Sequence, residues 1–376
     1  MSPLRVLILH LLALLAGGRP VLQPKGSKLD ALISLQGSRP VDIDGNEVHA
    51  HGGQLLQEGG LFYWVGTSQK RLPSWTSTHI NLYSSPDLTA WRFEGALFDW
   101  QQIEGFPGLL PYGHMYNPPP PFRIERPKVQ RHPRSGRHIL YFHLDTPDFE
   151  APALGMAVSS NGIAGPYTWA GHIFPDNNTS YDMTVWSEPG TDSAYLVRSC
   201  PVQTLAVSKL RDDWLDTTGS LCSETHVAAE GPAVFRHRGR HLIFTSHLTG
   251  WDPNPPILFE SEAGGLCASN WRLLPRPSHG PSANTTYDAQ STHIFTFTFE
   301  DGEELLLWMG DRWHARGPGS VGNASYVWLP LLPHTQGSGF ELVWAEGWSL
   351  RQFKGATWDP SEQRVLFATE PSSAIS

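Results

Sequence analysis

Short apolar or alternating runs, each preceded by a turn, recur along this chain, and helical periodicity is nearly absent after the first residues. Five runs share this pattern: "GGLFYWVGT" (59–67), "SGRHILYFHLD" (135–145), "TDSAYLVRS" (191–199), "RGRHLIFTSHL" (238–248) and "DGEELLLWMGDRW" (301–313). Companion strands that soon reach a Trp lie at "INLYSSPDLTAW" (80–91), "LGMAVSSNGIAGPYTW" (154–169) and "QTLAVSKLRDDWL" (203–215). The spacing averages roughly sixty residues, the length of a four-stranded blade with its loops. The pattern predicts an all-β fold, a five-bladed β-propeller over residues 41–370.

A two-sheet sandwich is the competing all-β architecture, but it does not naturally explain so long a period. The final pattern, "QRVLFATE" (363–370), predicts a last strand that closes the ring. Residues 19–40 and 371–376 are expected to be flexible ends. The proline-rich "YNPPPPF" (116–122) is expected in a long loop between the first two blades.

The first residues, 1–18, have the pattern of a secretory signal peptide. Arg5 supplies a positive charge, residues 6–15 are apolar, and Ala16-Gly17-Gly18 provides a small-residue exit. The apolar run is short for a membrane span, although an uncleaved anchor remains the alternative. Acceptor triplets for N-glycosylation lie at Asn177, Asn178, Asn284 and Asn323. We therefore expect a secreted glycoprotein that is not attached to a membrane once the signal is removed.

The composition narrows the classes of partner. The chain has 15 Trp, 36 Gly and 32 Pro, which suits a turn-rich β protein whose indole rings either stack on sugars or fill the core. Its net charge is −9 and it has no basic cluster, which argues against nucleic-acid binding. The 3 cysteines allow at most one internal disulfide and leave one thiol. A monomer that acts on oligosaccharides or polysaccharides is expected.

A single carboxylate, Glu230, interrupts the small and apolar stretch "VAAEGPAVF" (227–235). One interpretation is a solvated loop residue before Pro232. The other is a carboxylic acid whose pKa is raised by its apolar surroundings, so that it can donate a proton near neutral pH. This window alone does not distinguish them.

Similar polar residues stand at the head of the other predicted blades, where the innermost strands of a propeller converge. The windows are "EVHAHGGQLL" (47–56) with His49 and His51, "IERPKV" (124–129) with Glu125, Arg126 and Lys128, "SYDMTVW" (180–186) with Asp182, and "YDAQSTHIF" (287–295) with Asp288 and Gln290. Each alone is more typical of a structural residue. Their repetition at one place in every blade indicates a site.

In order along the chain, "VDIDGNEVHAHGGQLLQEGGLFYWVG", "NLYSSPDLTAWRFEG", "ERPKV", "YDMTVW", "EGPAVF", "TGWDPN", "DAQST", "MGDRW" and "SYVWLPL" resemble the exo-β-1,3-galactanase branch of the family 43 glycoside hydrolases. The resemblance runs from about Val41 to Trp348. It implies a five-bladed propeller that removes galactose from the non-reducing end of β-1,3-galactan with inversion at the anomeric carbon.

The resemblance also implies roles. Glu230 matches the general acid, Asp182 a carboxylate that tunes that acid, Glu125 a substrate-binding carboxylate, and Gln290 a glutamine that stands in for a general base. From chemistry alone, an amide oxygen can orient a water but is a poor base. The further residues expected to bind substrate are His51, Thr67, Arg126, Phe149, Thr249, Trp251, Asp311 and Trp328.

Two positions depart from the family pattern. Thr67 stands where the family has a sugar-binding Glu, and Phe149 stands where it has a Tyr. Each change removes a hydrogen bond to the terminal sugar. The alternatives are therefore the same chemistry on terminal arabinose or xylose, and a catalytically weak lectin-like propeller that binds galactan. No cofactor and no catalytic metal are expected; a structural Ca²⁺ near His51 or His143 is left open.

Overall fold

The computed structural model describes residues 27–69, 77–106, 122–146, 149–200, 204–262, 265–267, 270–313 and 320–368. The predicted signal peptide (1–18), the tail (371–376) and all but the last residue of the proline-rich loop (116–122) lie outside these ranges. Nowhere in them is a helix long and apolar enough to cross a bilayer.

Five antiparallel sheets follow one another along the chain, and in each the strands named here lie in sequence order from the inside outwards. Their strands are β2 (His51–Glu58), β3 (Leu61–Gln69), β4 (Ser77–Ser85) and β5 (Arg92–Asp99) in blade 1; β6 (Arg123–Arg131), β7 (His138–Asp145), β8 (Ala153–Ser159) and β9 (Thr168–Ile173) in blade 2; β10 (Met183–Ser187), β11 (Ala194–Cys200), β12 (Thr204–Leu210) and β13 (Thr217–Glu224) in blade 3; β14 (Glu230–His237), β15 (Arg240–Ser246), β16 (Pro256–Ser261) and β17 (Trp271–Leu273) in blade 4; and β18 (Gln290–Thr298), β19 (Glu304–Arg312) and β20 (Ser325–Pro333) in blade 5. Short 3₁₀ turns span Trp100–Gln102, Pro175–Asn177, Pro281–Asn284 and Ser320–Asn323.

The predicted five-bladed propeller is confirmed, and each of the five turn-and-strand runs overlaps the second strand of a blade. These strands carry the clearest pattern because they are paired on both edges and covered by the neighbouring blades. In β7, for example, all residues are buried. Their side chains therefore form nearly continuous apolar runs.

The ring closes differently from the prediction. The outer position of blade 5 is taken by β1 (Gln36–Ser38), which pairs with the start of β20. β21 (Phe340–Leu342) pairs with the end of β20. The expected closing strand, β23 (Arg364–Leu366), instead forms a separate hairpin with β22 (Thr357–Asp359).

The N-terminal segment differs from the expected flexible stretch over residues 19–40. Ile33 is 1% exposed and exchanges backbone hydrogen bonds with Trp348. Because Ile33 and Leu35 pack into the core between blades 5 and 1, the chain from residue 33 to β1 is fixed against the ring. The part before residue 27 lies outside the described residues.

One disulfide joins two blades. Cys222 on β13 is bonded to Cys267 in the connection between β16 and β17, and Cys200 is a buried free thiol. One disulfide and one free thiol agree with the prediction that three cysteines form at most one internal disulfide. The disulfide ties the outer strand of blade 3 to the outer half of blade 4.

Candidate active site

A cavity of about 420 Å³ opens where the inner strands of the five blades begin. Its lining residues are Gly52, Thr67, Glu125, Arg126, His143, Phe149, Tyr181, Asp182, Ser199, Cys200, Glu230, Leu248, Gly250, Trp251, Gln290 and Trp313. All four residues expected to act in catalysis are among them. The cavity therefore brings together three carboxyl groups and one amide that are distributed over more than 160 residues of chain, from Glu125 to Gln290.

Three inner strands have a β-bulge at their first residues, which changes the direction of the side chains there. The bulges lie between His51 and Gln54, between Glu125 and Lys128, and between Glu230 and Ala233. Directly after the first residue of each bulge the backbone turns left-handed, with φ of 61° at Gly52, 54° at Arg126 and 63° at Gly231. A bulge re-aims the neighbouring side chain, which is why bulges are frequent beside active sites.

Position 231 requires glycine for two reasons: its φ is positive, and the backbone of blade 5 lies close to it. A Cβ at this position would lie 3.0 Å from the carbonyl oxygen of Ser291 on blade 5. The backbone N–H of Gly231 donates to Asp182 Oδ2 at 3.0 Å, and the carbonyl oxygen of Gly231 accepts a hydrogen bond from the Ser291 hydroxyl. Glycine thus lets blades 3, 4 and 5 meet directly behind Glu230.

Glu230 is largely buried at the start of β14. Burial and the negative charge of Asp182 raise the pKa of Glu230 to about 8, against the opposing effects of the Arg126 charge and hydrogen bonds from the backbone of Thr249 and from Gln290. A carboxyl group with this pKa is protonated at neutral pH. Of the two interpretations of the sequence, the geometry supports the buried acid rather than the solvated loop residue.

Arg126 links three blades beneath this acid. Its Nη2 lies 2.7 Å from Asp182 Oδ2 and 2.5 Å from Gln290 Oε1, and its Nη1 donates to the carbonyl oxygen of Ser291 at 2.8 Å. Arg126 is only 5% exposed, and its backbone is left-handed, with φ of 54°. We expected Arg126 to bind substrate; it lines the cavity, but these three bonds engage its guanidinium within the protein.

Glu125 occupies the blade 2 side of the cavity. Its carboxylate is 3.7 Å from Arg123 Nη1 and 3.6 Å from His143 Nδ1, distances that are longer than hydrogen bonds. His143 Nε2 is 3.2 Å from Asp145 Oδ2. Burial alone would lower the pKa of His143, but the carboxylates of Asp145 and Glu125 raise it to about 9. An imidazolium therefore stands behind Glu125 at neutral pH.

Thr67 and Phe149 both line the cavity. The hydroxyl of Thr67, which is 2% exposed, donates to the carbonyl oxygen of His51 at 3.1 Å. The Phe149 ring is 37% exposed, and the Arg123 guanidinium carbon lies 4.0 Å from its centroid. The hydroxyl of Thr67 is thus bonded to the backbone, and Phe149 presents an apolar face.

Several residues expected to bind substrate lie elsewhere. Trp328 is 0% exposed and packs against Trp64 with ring centroids 4.6 Å apart, so its expected role in sugar stacking is wrong. His51 and Asp311 are 3% and 2% exposed; they bond to each other beneath the cavity and are not among its lining residues. Asp311 on β19 and Tyr326 on β20 both contact His51 at the bulged head of β2, so the His51–Asp311 pair lies in the core.

Thr249 belongs to the loop that carries the cavity wall. Its hydroxyl donates to the carbonyl oxygen of Asp252 at 2.6 Å and accepts from Asn254 Nδ2 at 2.6 Å. The side chain of Thr249 therefore shapes the loop that carries Trp251, and its contribution to Glu230 comes from the backbone. This differs from the expected contact between the Thr249 side chain and the sugar.

Trp251 lies on the cavity wall as expected, beside a tryptophan that sequence reasoning passed over. The rings of Trp251 and Trp313 meet edge to face at 4.9 Å between centroids. Trp313 Nε1 donates to Gln290 Oε1 at 2.8 Å. Trp313 directly follows β19, two residues after Asp311 in "MGDRW", so strand alternation from Asp311 could have indicated it. Tyr181 was also not expected to line the site, and His143 was considered only as a neighbour of a structural Ca²⁺.

The side-chain amine of Lys128 occupies the floor of the cavity near the propeller axis. Lys128 is 0% exposed, and its Nζ contacts the carbonyl oxygens of Gly52 at 2.9 Å, Pro127 at 3.3 Å, and both Gly53 and Arg126 at 3.4 Å. Burial and the charge of Arg126 lower the pKa of Lys128 to about 7, against the charges of Asp182 and Asp311.

The side chains around His51 do not form a cluster that could bind the Ca²⁺ left open by the sequence. Both ring nitrogens of His51 are engaged, Nδ1 with Asp311 at 3.1 Å and Nε2 with Tyr326 at 3.2 Å. Across the described ranges, no group of three or more His, Cys, Asp or Glu is placed to hold a metal ion. Because Ca²⁺ requires six to eight oxygen ligands, these side chains do not fit it. The absence of a cofactor stays an untested prediction.

No protein-family model and no curated protein matches the sequence. Solved structures do. A family 43 β-1,3-galactosidase crystallised with galactodeoxynojirimycin matches with a TM-score of 0.72 and 26% identity over 84% of this chain and 100% of that chain. The exo-β-1,3-galactanase of Phanerochaete chrysosporium, solved with galactose, matches with a TM-score of 0.71 and 25% identity over 90% and 71%. An exo-β-1,3-galactanase from Clostridium thermocellum matches with a TM-score of 0.72 and 25% identity over 91% and 69%.

Proposed function

We propose that this chain, a family 43 glycoside hydrolase of the exo-β-1,3-galactanase type, is an inverting exo-glycosidase that removes terminal β-1,3-linked galactose from galactan-type glycans. The observation that carries the proposal is the placement of Glu230. It is a largely buried carboxyl group with a pKa of about 8, beside Asp182, in a cavity on the propeller axis. The resemblance of the motifs and the matches to galactose-acting enzymes agree with this chemistry.

The reaction needs one proton donor and one water. Glu230 gives its proton to the glycosidic oxygen, which keeps the bonding electron pair as the bond to the anomeric carbon breaks. A water adds to the opposite face of the sugar and loses a proton, so β-galactoside yields α-galactose. Asp182 keeps Glu230 protonated until transfer because its negative charge disfavours a second carboxylate nearby.

Glu125 is the cavity carboxylate available for the water's proton or for a sugar hydroxyl. Asp182 is paired with Arg126 at 2.7 Å and with the N–H of Gly231 at 3.0 Å. Glu125 makes only the two longer contacts, 3.7 and 3.6 Å, to described residues. Its oxygens thus retain acceptor capacity toward the cavity, as the role of a substrate-binding carboxylate requires.

The apolar side of the cavity suits the body of a sugar ring. Trp251, Trp313, Tyr181 and Phe149 surround it with aromatic faces and edges. Aromatic side chains supply large, rigid apolar contact while the polar groups at the strand heads set orientation. A galactose unit in this cavity would have its hydroxyls directed toward Glu125 and Asp182 and its apolar face toward the rings.

Product analysis tests the function. The purified protein is incubated with β-1,3-, β-1,4- and β-1,6-galactan and with aryl β-galactosides, α-L-arabinosides and β-xylosides. We expect galactose as the released sugar, from β-1,3-galactan ahead of the other two, and α-galactose as the first anomer in the NMR spectrum. Release of arabinose or xylose alone, or β-galactose as the first anomer, would contradict the proposal.

A lectin-like propeller is the second candidate, and the observation that favours it is the pair Thr67 and Phe149. The Thr67 hydroxyl is bonded to the backbone, and Phe149 offers no hydroxyl, so the terminal sugar has fewer polar partners than in the family pattern. Calorimetry would distinguish this candidate: it predicts saturable binding of β-1,3-galactotriose without release of galactose.

We also propose that the protein is a secreted, monomeric glycoprotein. The pattern of residues 1–18 supports export. Asn177, Asn178 and Asn284 are exposed, and the Cys222–Cys267 disulfide suits an oxidising compartment. Expression in a secreting cell line tests this: we expect recovery from the medium with a mass that falls on treatment with an N-glycosidase, and a monomer on light scattering.

A further inference from the structure

The side-chain amide of Gln290 uses all of its hydrogen-bonding capacity within the protein. Nε2 donates to Glu230 Oε1 at 3.0 Å and to Ser246 Oγ at 3.1 Å. Oε1 accepts from Arg126 Nη2 at 2.5 Å and from Trp313 Nε1 at 2.8 Å. An amide has two N–H donors and two acceptor lone pairs, so no position is left for a water. The expected role of Gln290, orienting the attacking water, does not fit these bonds.

The orientation of this amide is determined by its partners. A guanidinium and an indole N–H can only donate, so the group that faces Arg126 and Trp313 must be the amide oxygen. Turning the amide over would direct its NH₂ at two donors and leave them unpaired in a buried place; Gln290 is 7% and Trp313 is 5% exposed. Trp313 and Arg126 therefore direct Nε2 toward Glu230.

An N–H bond to Glu230 Oε1 has a consequence for the acid. When the carboxyl group is protonated, the oxygen that accepts from Nε2 is the carbonyl oxygen, and the proton is on the other oxygen, Oε2. A general acid works only if its proton points at the leaving-group oxygen. The amide thus selects which of the two oxygens carries the transferable proton.

We propose that Gln290 and Trp313 are positioning residues for the general acid: Trp313 fixes the Gln290 amide, and the amide keeps the transferable proton on Glu230 Oε2. This inference rests on the proposed glycosidase function. It places Gln290 on the leaving-group side of the reaction, whereas a role as stand-in for the base would place it on the water side.

The two sides can be separated by the leaving group. Galactose leaving from β-1,3-galactobiose needs a proton, whereas fluoride leaving from β-galactosyl fluoride departs as an anion and needs little protonation. A defect in acid positioning slows the first substrate and largely spares the second. A defect in water activation slows both alike, because both reactions consume the same water.

The experiment compares wild type, Trp313→Phe and Gln290→Met on both substrates. Trp313→Phe keeps an aromatic ring against Trp251 and removes the indole N–H together with the five-membered part of the indole. We expect kcat on galactobiose to fall by about 10- to 100-fold and kcat on the fluoride to change by less than about 3-fold. Trp344→Phe is the matched control, since it removes an indole N–H bond to Glu346 on the surface, at 2.9 Å, and should change neither rate.

The pH profile on galactobiose gives a second measurement. Donation from Gln290 lowers the pKa of Glu230, so its loss in Gln290→Met should move the basic limb of kcat/KM above the wild-type position near pH 8. Equal losses on both substrates, an unmoved basic limb, or full activity of both variants would overturn the inference. A wild type that hydrolyses neither substrate refutes the proposed function instead. If it cleaves only galactobiose, the pH profile decides.

Discussion

His51 and Asp311 are 260 residues apart in sequence, and their side chains meet at 3.1 Å between Nδ1 and Oδ1 beneath the cavity. The other carboxylate oxygen of Asp311 accepts the backbone N–H of Gly52 at 2.6 Å. The pair joins the inner strand of blade 1 to the second strand of blade 5. It therefore contributes to ring closure and holds the bulge from which the cavity floor is built.

Replacing Asp311 with Asn should destabilise the protein more than it weakens substrate binding. An amide can accept from one of the two donors, and its NH₂ then faces the other, so we expect a loss of about 1–3 kcal/mol in the free energy of unfolding. KM of the folded enzyme should stay near the wild-type value. Urea denaturation and Michaelis kinetics measure the two effects, with the 92%-exposed Asp212→Asn as control. A large rise in KM with unchanged stability would restore Asp311 to substrate binding.

Replacing Glu230 with Gln should abolish proton donation and keep the shape of the site. We expect turnover of β-1,3-galactobiose to fall by about 10²–10⁴-fold with little change in KM. β-Galactosyl fluoride, which needs little proton donation, should be hydrolysed at a rate closer to that of wild type. In wild type, kcat/KM on galactobiose should fall as the pH rises through about 8, because Glu230 must be protonated to act. Near wild-type turnover of galactobiose by the variant would assign Glu230 a structural role.

The same substitution should raise stability at alkaline pH. The pKa of the Glu230 carboxyl group rises from its ordinary value of 4.5 to about 8 in the folded protein. Between these values the folded state binds more protons than the unfolded state, so wild-type stability falls as the pH rises through this window. Glu230→Gln should therefore melt higher than wild type at pH 8, with a smaller difference at pH 5. Exposed Glu262→Gln is the control, for which no such pH-dependent gain is expected.

Lys128→Met should destabilise the propeller floor. The substitution removes the donor from four carbonyl oxygens on the inner strands of blades 1 and 2. Because burial lowers the pKa of Lys128 from 10.5 to about 7, the wild-type protein loses stability as the pH falls through this window. We therefore expect Lys128→Met to lose about 1–3 kcal/mol at pH 9, where the amine is neutral in the folded protein, and less at pH 6. Lys209→Met, at an exposed position of β12, is the control. Equal denaturation midpoints for both variants would show that these carbonyl contacts do not stabilise the fold.

Restoring the family residues at Thr67 and Phe149 tests the identity of the sugar. Phe149→Tyr adds one hydroxyl to a partly exposed ring at the cavity and should be tolerated. Thr67→Glu is riskier, since a second buried carboxylate near Glu125 would raise both pKa values. For a galactanase we expect one or both to improve kcat/KM on β-1,3-galactooligosaccharides by about 1–3 kcal/mol in transition-state terms. Reduced activity on an arabinoside or xyloside with no gain on galactan would identify a different natural substrate.

Local pattern was sufficient to predict the number of blades. The second strand of each blade is buried on both faces, so an apolar run bounded by turns is visible without any knowledge of its neighbours. The closing strand was not predictable in this way. β1 has the residues Gln-Gly-Ser and pairs with Val327 and Tyr326 almost three hundred residues later, so nothing local identifies it. β23 has the more visible apolar pattern, and the prediction that it closes the ring is wrong.

Residue type alone could not separate the tryptophans of the site from those of the core. Trp251 and Trp328 both have polar neighbours in sequence, yet Trp251 lines the cavity and Trp328 is fully buried against Trp64. Burial depends on what the adjacent blade places above a side chain, and that blade lies far away along the chain. For the same reason, Trp313 was not expected at the site.

The sequence by itself determined the repeating blades, the acid at the head of β14 and the carboxylates that surround it, because each lies in a short stretch where turn or polar residues precede an apolar strand. Only the tertiary structure decided how these groups act on one another. The pKa of Glu230 depends on Asp182 in blade 3, and the orientation of Gln290 depends on Arg126 in blade 2 and Trp313 after β19. Protonation and amide orientation are set by charges and donors within a few ångströms, and a propeller brings those together from every blade at its axis.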